Sequence, residues 1–149
     1  MAEALFNQLL VEKGLESQYE AQSAGVAAST GSPASIETRQ LLLNKHEIDY
    51  TPFRSRQLNK YIMDECDYVF CLTRMHREAI ITNAPEYREK VLLVGEFMGD
   101  EGTKDVADPF GLGAPAYEVV EGQLLTAVDN ILSFVQDNGE LQESLGTEL

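Results

Sequence analysis

Apolar residues recur along the chain at two different spacings, which together predict alternating helices and strands. A helical spacing at the N-terminus predicts a helix over residues 1–13, which Gly14 is suited to end. Nearly continuous apolar runs at 68–72 and 91–94 are typical of strands buried on both faces of a parallel sheet. The remaining predicted elements are a short strand at 17–22 and helices at about 33–45, 59–65, 73–83 and 115–135.

Two predicted helices carry local signals at their ends. The Thr73 hydroxyl is suited to cap the helix that follows the apolar run. Pro33 is typical of a helix start, and His46, near the end of the same helix, is better explained by the helix dipole than as a ligand. The positions of this helix that we expect to be buried are Ile36, Leu41, Leu42 and Leu43.

Strands that alternate with helices predict an α/β domain with a parallel sheet and helices on both faces. Hydrophobic residues make up 44% of the chain, as expected for one globular domain, which we assign to residues 1–136. Three strands are few for so many helices, which indicates that a strand is missing near the abrupt start of the first helix. Residues 137–149 are rich in acids and are expected to form an acidic flexible tail.

Composition excludes several classes of function. The net charge of −14 argues against binding to nucleic acid and to anionic membranes. There is no apolar run of transmembrane length and no signal peptide at the N-terminus. The only cysteines, Cys66 and Cys71, suggest a reducing cytoplasm rather than a disulfide framework. The sequence suggests neither a metal site nor a cofactor.

Candidate chemistry is concentrated in the segment from Asp108 to Gly111. Pro109 restricts the backbone of both itself and Asp108, so that the carboxylate is held in one direction. Phe110 offers an apolar wall against which a flat group could lie. These features are those of a general acid beside a substrate cleft. An ordinary surface turn, for which Asp-Pro followed by Gly is common, explains the same residues.

Other polar residues suggest chemistry less strongly. Cys71 and Arg77 have the Cys-x5-Arg spacing of a phosphate loop, but the bulky residues between them favour a helix start, and Cys71 is expected to be a buried strand residue. The spacing of Cys66 and Cys71 is not that of a redox pair. Arg54 and Arg56 could border an anion site, although ordinary surface charge is the simpler interpretation.

Several short segments occur in a characteristic order and spacing along the chain. They are Met-Ala-Glu-Ala-Leu-Phe at the start, Ser23-Ala24-Gly25, Arg56-Gln57-Leu58, Asp67-Tyr68-Val69-Phe70, Gly95-Glu96-Phe97 and Asp108-Pro109-Phe110-Gly111. This ordered set resembles that of low-molecular-weight protein tyrosine phosphatases. The resemblance extends to about Val135 and is greatest to bacterial members, including those similar to protein-arginine phosphatases, which also have Ser-Ala-Gly-Val and Asp-Pro-Phe.

The resemblance also accounts for the abrupt start. Family members normally begin with a strand and a Cys-x5-Arg-Ser-Pro phosphate loop, followed in many bacterial members by Met-Ala-Glu-Ala, where this sequence begins. It therefore implies a three-layer, phosphotyrosine phosphatase I-like fold whose central first strand is missing. In the family's strand order 2-1-3-4, the gap would lie between 17–22 and 68–72. We expect a wrongly chosen start codon; a fragment and a truncated gene product are the alternatives.

The resemblance implies a protein phosphatase mechanism without a cofactor. A cysteine thiolate forms a phosphocysteine, and Asp108 corresponds to the aspartate that acts first as general acid and then as general base. Phe110 corresponds to the aromatic wall of the substrate cleft, and Ser23 to a serine that supports the phosphate loop from behind. Phe53 stands where some members have a histidine in that support. Without the nucleophile the chain itself is expected to be inactive.

The implied substrate is a phosphorylated protein or a small phosphoester, carrying phosphotyrosine or phosphoarginine. Two other classes stay open. One is a non-catalytic binding module that has kept the fold. The other is a thiol-dependent arsenate reductase on the same fold, which would need a further redox cysteine near Cys71. The sequence does not specify the oligomeric state.

Overall fold

The structure, a computed structural model, describes residues 1–99 and 105–146, with side chains described as far as residue 139. The predicted acidic loop at 99–105 therefore lies largely outside the described residues. Two short 3₁₀ helices lie at Pro85–Lys90 and Val94–Phe97. The other elements are α1 (Ala2–Glu12), α2 (Ile36–His46), α3 (Lys60–Glu65), β1 (Val69–Cys71), α4 (Arg74–Asn83), β2 (Val91–Leu93) and α5 (Ala114–Gly146).

The sheet in the described part of the chain consists of β1 and β2, which run parallel. Val69 pairs with Val91, and Cys71 pairs with Leu93. Helix α4 connects the two strands, as a parallel pair requires. The prediction of an α/β domain with a parallel sheet is confirmed.

The predicted strand at 17–22 is wrong. The backbone turns at residues 16–18, and residues 19–24 have no regular secondary structure. The side-chain amide of Asn7, on α1, accepts the Ala21 N–H at 2.8 Å and donates to the Ala21 carbonyl at 2.9 Å. A strand needs a neighbouring backbone for its hydrogen bonds, and here a side chain satisfies them instead.

Side-chain caps set the start of three helices. The Thr73 hydroxyl accepts the His76 N–H at 3.1 Å, which confirms the predicted cap of α4. The Asn59 side chain caps α3 in the same way. Helix α2 begins after Ser35, whose hydroxyl accepts the Thr38 N–H, and so it starts three residues later than Pro33 predicts.

Helix α5 is much longer than the apolar spacing predicts. It extends past Val135 to Gly146, so the segment from residue 137 that was expected to be a flexible tail begins inside the helix. Residues 147–149 lie outside the described part of the chain. None of the described helices, α5 included, combines the length and the apolar content that crossing a membrane requires.

The main hydrophobic core joins α1, α2 and α5 and includes Leu5, Leu42 and Leu124. Leu41 and Leu42 are buried, as predicted, whereas Ile36 and Leu43 are each 55% exposed. The prediction of buried positions on α2 is therefore confirmed at Leu41 and Leu42 and wrong at Ile36 and Leu43. A smaller cluster lies around the sheet and contains Met63, Cys71, Ile80, Val91 and Leu93.

A buried carboxylate, that of Glu121 on α5, connects α5 to the end of α2. Its side chain is 9% exposed and lies 2.5 Å from His46 Nε2 and 3.1 Å from Lys45 Nζ. His46 is the last residue of α2, and its carbonyl accepts a hydrogen bond from Gln8 of α1. The cluster thus joins the three helices of the main core at one point.

We predict that this cluster stabilises the fold at neutral pH and that its contribution to the free energy of unfolding is lost at acidic pH. Burial alone would raise the pKa of Glu121, but the hydrogen bonds from His46 and Lys45 outweigh it and lower that pKa. A carboxylate with a lowered pKa in the folded state stabilises the fold above its ordinary pKa, and this stabilisation is lost as pH falls through the lowered value. Urea unfolding of Glu121→Gln should give a loss of about 1–3 kcal/mol at neutral pH. The difference in unfolding free energy between the parent and the variant should become smaller at acidic pH.

Glu118→Gln is the matched control, because Glu118 faces the same Lys45 at 3.6 Å but is 57% exposed. An exposed ion pair contributes little, so this change should cost under about 1 kcal/mol at any pH. Equal losses from the two variants, or a Glu121 loss that does not change with pH, would contradict the account.

Candidate functional site

The segment that carries Asp108 is attached to the carboxyl end of β1. The Val106 N–H donates to the Leu72 carbonyl, one residue beyond β1, at 2.9 Å. The Val106 side chain is only 3% exposed and belongs to the main core. The carboxyl ends of parallel strands are where α/β proteins commonly bind ligands, so Asp108 follows a segment anchored at such a place.

Asp105 gives this segment a second attachment. Its carboxylate accepts the backbone N–H of Arg74 at 2.9 Å and lies 3.4 Å from Arg74 Nε. Arg74 is the first residue of α4, so the carboxylate lies at the positive end of the helix dipole. The described residues just before Asp108 are thereby attached both to β1 and to α4.

The Asp108 carboxylate is exposed and held by its own turn. Its Oδ1 accepts the Phe110 N–H at 3.0 Å, and the Leu112 N–H donates to the Pro109 carbonyl at 3.0 Å. Gly111 has a φ of +79°, which a residue with a side chain rarely adopts. This turn fixes one carboxylate oxygen of Asp108, and within residues 1–99 and 105–139 no hydrogen bond to the other oxygen is formed.

Phe110, the expected wall of a substrate cleft, is 75% exposed. Leu112, two residues later, is 68% exposed. An exposed aromatic ring next to an exposed carboxylate offers an apolar surface and a polar group side by side. This arrangement is compatible with the expected roles and also with a surface turn.

Ser23 lies in the irregular segment after α1 and is held through its backbone. Its N–H donates to Glu3 Oε1 at 3.0 Å, and its carbonyl accepts from Arg56 Nε at 2.9 Å. Two residues later, Gly25 forms an isolated parallel bridge with Gln57. Among the described residues no hydrogen bond joins Ser23 to Asp108. Ser23 is bonded to Glu3 of α1, whereas the segment of Asp108 is attached to the end of β1 through Val106.

Arg54 and Arg56 donate to acceptors of the protein. Arg54 bonds the carbonyls of Thr51 and Phe53, at 2.9 and 2.6 Å. Arg56 donates to Gln22 Oε1 at 2.7 Å in addition to Ser23. These contacts give both arginines a role in fixing the backbone and do not favour the alternative of an anion site.

Cys71 and Arg77 do not form a phosphate loop. Cys71 is 5% exposed, and burial raises the pKa of its thiol to about 11 in spite of the nearby Arg77. Arg77 Nε donates to the Val91 carbonyl at 3.2 Å, and α4 occupies the residues leading to it. Cys71 is thus a buried strand residue, as expected. Burial also raises the pKa of the Cys66 thiol.

Tyr50 is a residue that the sequence did not single out. Its hydroxyl donates to Glu3 Oε2 at 2.5 Å, and its ring stacks on Phe53 with centroids 4.8 Å apart. Residues 3 and 50 are too far apart in the sequence for any spacing rule to pair them. In the described part of the chain, no three histidine, cysteine, aspartate or glutamate side chains come together as a metal site would need.

The chain is similar in sequence and in structure to known phosphatases. The chain is 33% identical over 118 residues to a protein-arginine-phosphatase of Geobacillus stearothermophilus, covering 78% of this chain and 77% of that protein. The solved low molecular weight protein tyrosine phosphatase from T. tengcongensis superposes with a TM-score of 0.80 at 32% identity, covering 89% of this chain and 87% of that one.

A third relative is a cysteine-to-serine variant of the YwlE arginine phosphatase, solved with a phosphorylated active-site serine. Its TM-score is 0.82 at 29% identity, with 91% of this chain and 86% of that chain covered. The family model for the low molecular weight phosphotyrosine protein phosphatase matches residues 1–143. This match spans nearly all of the sequence, and the chain therefore belongs to the low molecular weight phosphotyrosine protein phosphatase family.

Proposed function

We propose that this protein takes part in the hydrolysis of phosphotyrosine or phosphoarginine on proteins, with Asp108 as general acid and base. The observation that carries the proposal is the exposed Asp108 carboxylate, held by the Phe110 N–H next to a segment anchored on the carboxyl end of β1. A general acid must be fixed and yet reach the substrate, and the exposure of Asp108 together with its bond to the Phe110 N–H supports this role.

The proposed reaction has two steps. A cysteine thiolate attacks phosphorus, so that an S–P bond forms while the bond to the leaving oxygen or nitrogen breaks, and Asp108 protonates the leaving group. Water then attacks the phosphocysteine while Asp108 takes a proton from it, which releases phosphate and the thiolate. The phosphorylated active-site serine in the YwlE variant supports a covalent route for that relative.

Phe110 and Ser23 have supporting roles in this proposal. The exposed Phe110 ring would lie against the aromatic or guanidinium plane of the phosphorylated residue. Ser23 would support the phosphate loop from behind. The names of the relatives include both tyrosine and arginine phosphatases, and so both substrates stay within the proposal. The two free cysteines support a reducing, cytoplasmic location.

The nucleophile of this reaction is not among the 149 residues. The residue six places beyond Cys66 is Leu72 rather than arginine. Cys71 is buried in β1, and Arg77 lies in α4 and is followed by Glu78 rather than serine. We therefore expect these residues alone to leave phosphoesters intact.

A phosphatase-fold binding module is the second candidate, and the burial of Cys71, the cysteine with the Cys-x5-Arg spacing, favours it. Such a module would bind a phosphopeptide without turnover. An arsenate reductase is less well supported, because Cys71 is buried and the pKa of each cysteine thiol is raised.

Because we do not assign Cys71 as the nucleophile, we predict that its thiol is unreactive. With iodoacetamide at about pH 8, Cys71 should stay unlabelled in the folded chain, because burial keeps its thiol protonated. Cys66 is partly exposed and should be labelled slowly, and in urea both should react. Mass spectrometry of the peptides measures this. Rapid labelling of Cys71 in the folded chain would reopen it as a nucleophile.

The role of Asp108 can be tested with p-nitrophenyl phosphate. We predict no turnover by the chain itself, and turnover by a form extended upstream with the strand and phosphate loop of the Geobacillus relative. In the extended form, Asp108→Asn should lower kcat by about 10²–10⁴-fold, because the leaving group would lose its proton donor.

Asp49→Asn is the matched control for this experiment. Asp49 Oδ1 accepts the Thr51 N–H at 3.0 Å, in the same local arrangement as Asp108 and Phe110, but elsewhere on the surface. The kcat of the extended form with Asp49→Asn should stay within about twofold of that of the unsubstituted extended form, since most surface changes have small effects. Turnover by the short chain that survives Asp108→Asn would refute the proposal.

A further inference from the structure

One carboxylate, that of Glu3 on α1, joins two distant segments of the chain. Its Oε2 accepts the Tyr50 hydroxyl at 2.5 Å, and its Oε1 accepts the Ser23 backbone N–H at 3.0 Å. The Ser23 carbonyl is in turn bonded by Arg56 Nε at 2.9 Å. Both backbone polar groups of Ser23 are therefore fixed by charged side chains.

Tyr50 is well held for its part in this chain of contacts. Its ring stacks on Phe53, with centroids 4.8 Å apart and planes inclined by 14°. Burial raises the pKa of the Tyr50 hydroxyl and the hydrogen bond to Glu3 raises it further, which together outweigh the lowering by a hydrogen bond with the Ser23 side chain. The hydroxyl thus stays protonated and remains a hydrogen-bond donor throughout the neutral and moderately alkaline range.

Glu3 needs both of its partners in order to keep one orientation. A partly buried carboxylate that loses a donor to one oxygen has an unsatisfied acceptor and would turn toward water. The Ser23 N–H would then lose its acceptor as well, because the same carboxylate serves it. Tyr50 can therefore influence the position of the Ser23 backbone through Glu3, in addition to the contact of its hydroxyl with the Ser23 side chain.

We propose that Tyr50 is a positioning residue for Ser23, acting through Glu3. This inference rests on the proposed function, in which Ser23 supports the phosphate loop. Phe53 supplies a stacking surface for the Tyr50 ring, and the Tyr50 hydroxyl supplies the polar contact to Glu3. Fixing the Ser23 backbone also limits the directions in which its hydroxyl can point.

Amide hydrogen exchange of the chain, followed by NMR, tests the structural step without any catalysis. Tyr50→Phe keeps the ring stacked on Phe53 and removes only the hydroxyl. The Ser23 amide should then exchange at least about tenfold faster, while the amide of Leu124, buried in α5, should change by less than about twofold. Tyr61→Phe is the matched control, because Tyr61 is 72% exposed, and it should alter neither amide.

Glu3→Gln provides a second variant in case Tyr50→Phe does not fold. The neutral amide keeps one oxygen acceptor in place of two, so it can no longer serve both donors, and Ser23 exchange should again accelerate. An unchanged Ser23 exchange rate in whichever variant folds would overturn the proposal.

The functional step is tested in the form extended with a phosphate loop. Tyr50→Phe should lower kcat by about tenfold and leave KM within about twofold, because the loop would be misplaced in the transition state. If Tyr50 acts through Ser23, adding Tyr50→Phe to Ser23→Ala should cost nothing further.

If the losses in kcat from Tyr50→Phe and Ser23→Ala add up in the double variant, Tyr50 does not act through Ser23. An extended form with no activity would instead refute the proposed function, and the exchange experiment would still decide whether Tyr50 positions Ser23. The two failures are therefore distinguishable.

Discussion

The hydrogen bond from the Val106 N–H to the Leu72 carbonyl is the constraint on which the candidate site depends. It fixes the backbone two residues before Asp108 at the end of β1, and the burial of the Val106 side chain in the main core makes that attachment costly to break. Asp108 itself is exposed, so its position comes from this attachment and from the turn that follows. A carboxylate on an otherwise free loop would have no defined direction.

Helix α1 provides the second half of the arrangement through its side chains. Asn7 satisfies both backbone groups of Ala21, and Glu3 satisfies the N–H of Ser23. These contacts hold an extended segment that has no strand beside it in the described part of the chain. The polar face of α1 thus orders residues 21–23, while its apolar face packs in the main core.

The sequence predicted those features that depend on local chemistry. The Thr73 cap follows from a hydroxyl at a helix start, and the burial of Cys71 follows from an unbroken apolar run. The parallel pairing of two such runs follows from the helix between them. The turn at Asp108 follows from Pro109 and Gly111, although its chemical role does not.

The predictions that proved wrong concern features that tertiary contacts determine. The segment at 17–22 has residues that suit a strand, but a strand also needs a neighbour, which no local pattern reports. The exposed position of Leu43 depends on how α2 is rotated against α5. The pairing of His46 with Glu121 joins residues 75 positions apart, and that of Tyr50 with Glu3 joins residues 47 positions apart.

Hydrogen exchange at the Val106 amide tests the central constraint most directly. The Val106 amide is bonded and its side chain is buried, whereas the neighbouring Ala107 is exposed and its amide has no acceptor among the described residues. The account predicts that Val106 exchanges at least about a hundredfold more slowly than Ala107, relative to their rates in an unstructured peptide. Equal protection of the two amides would mean that the segment before Asp108 is not attached to β1, and would contradict the account.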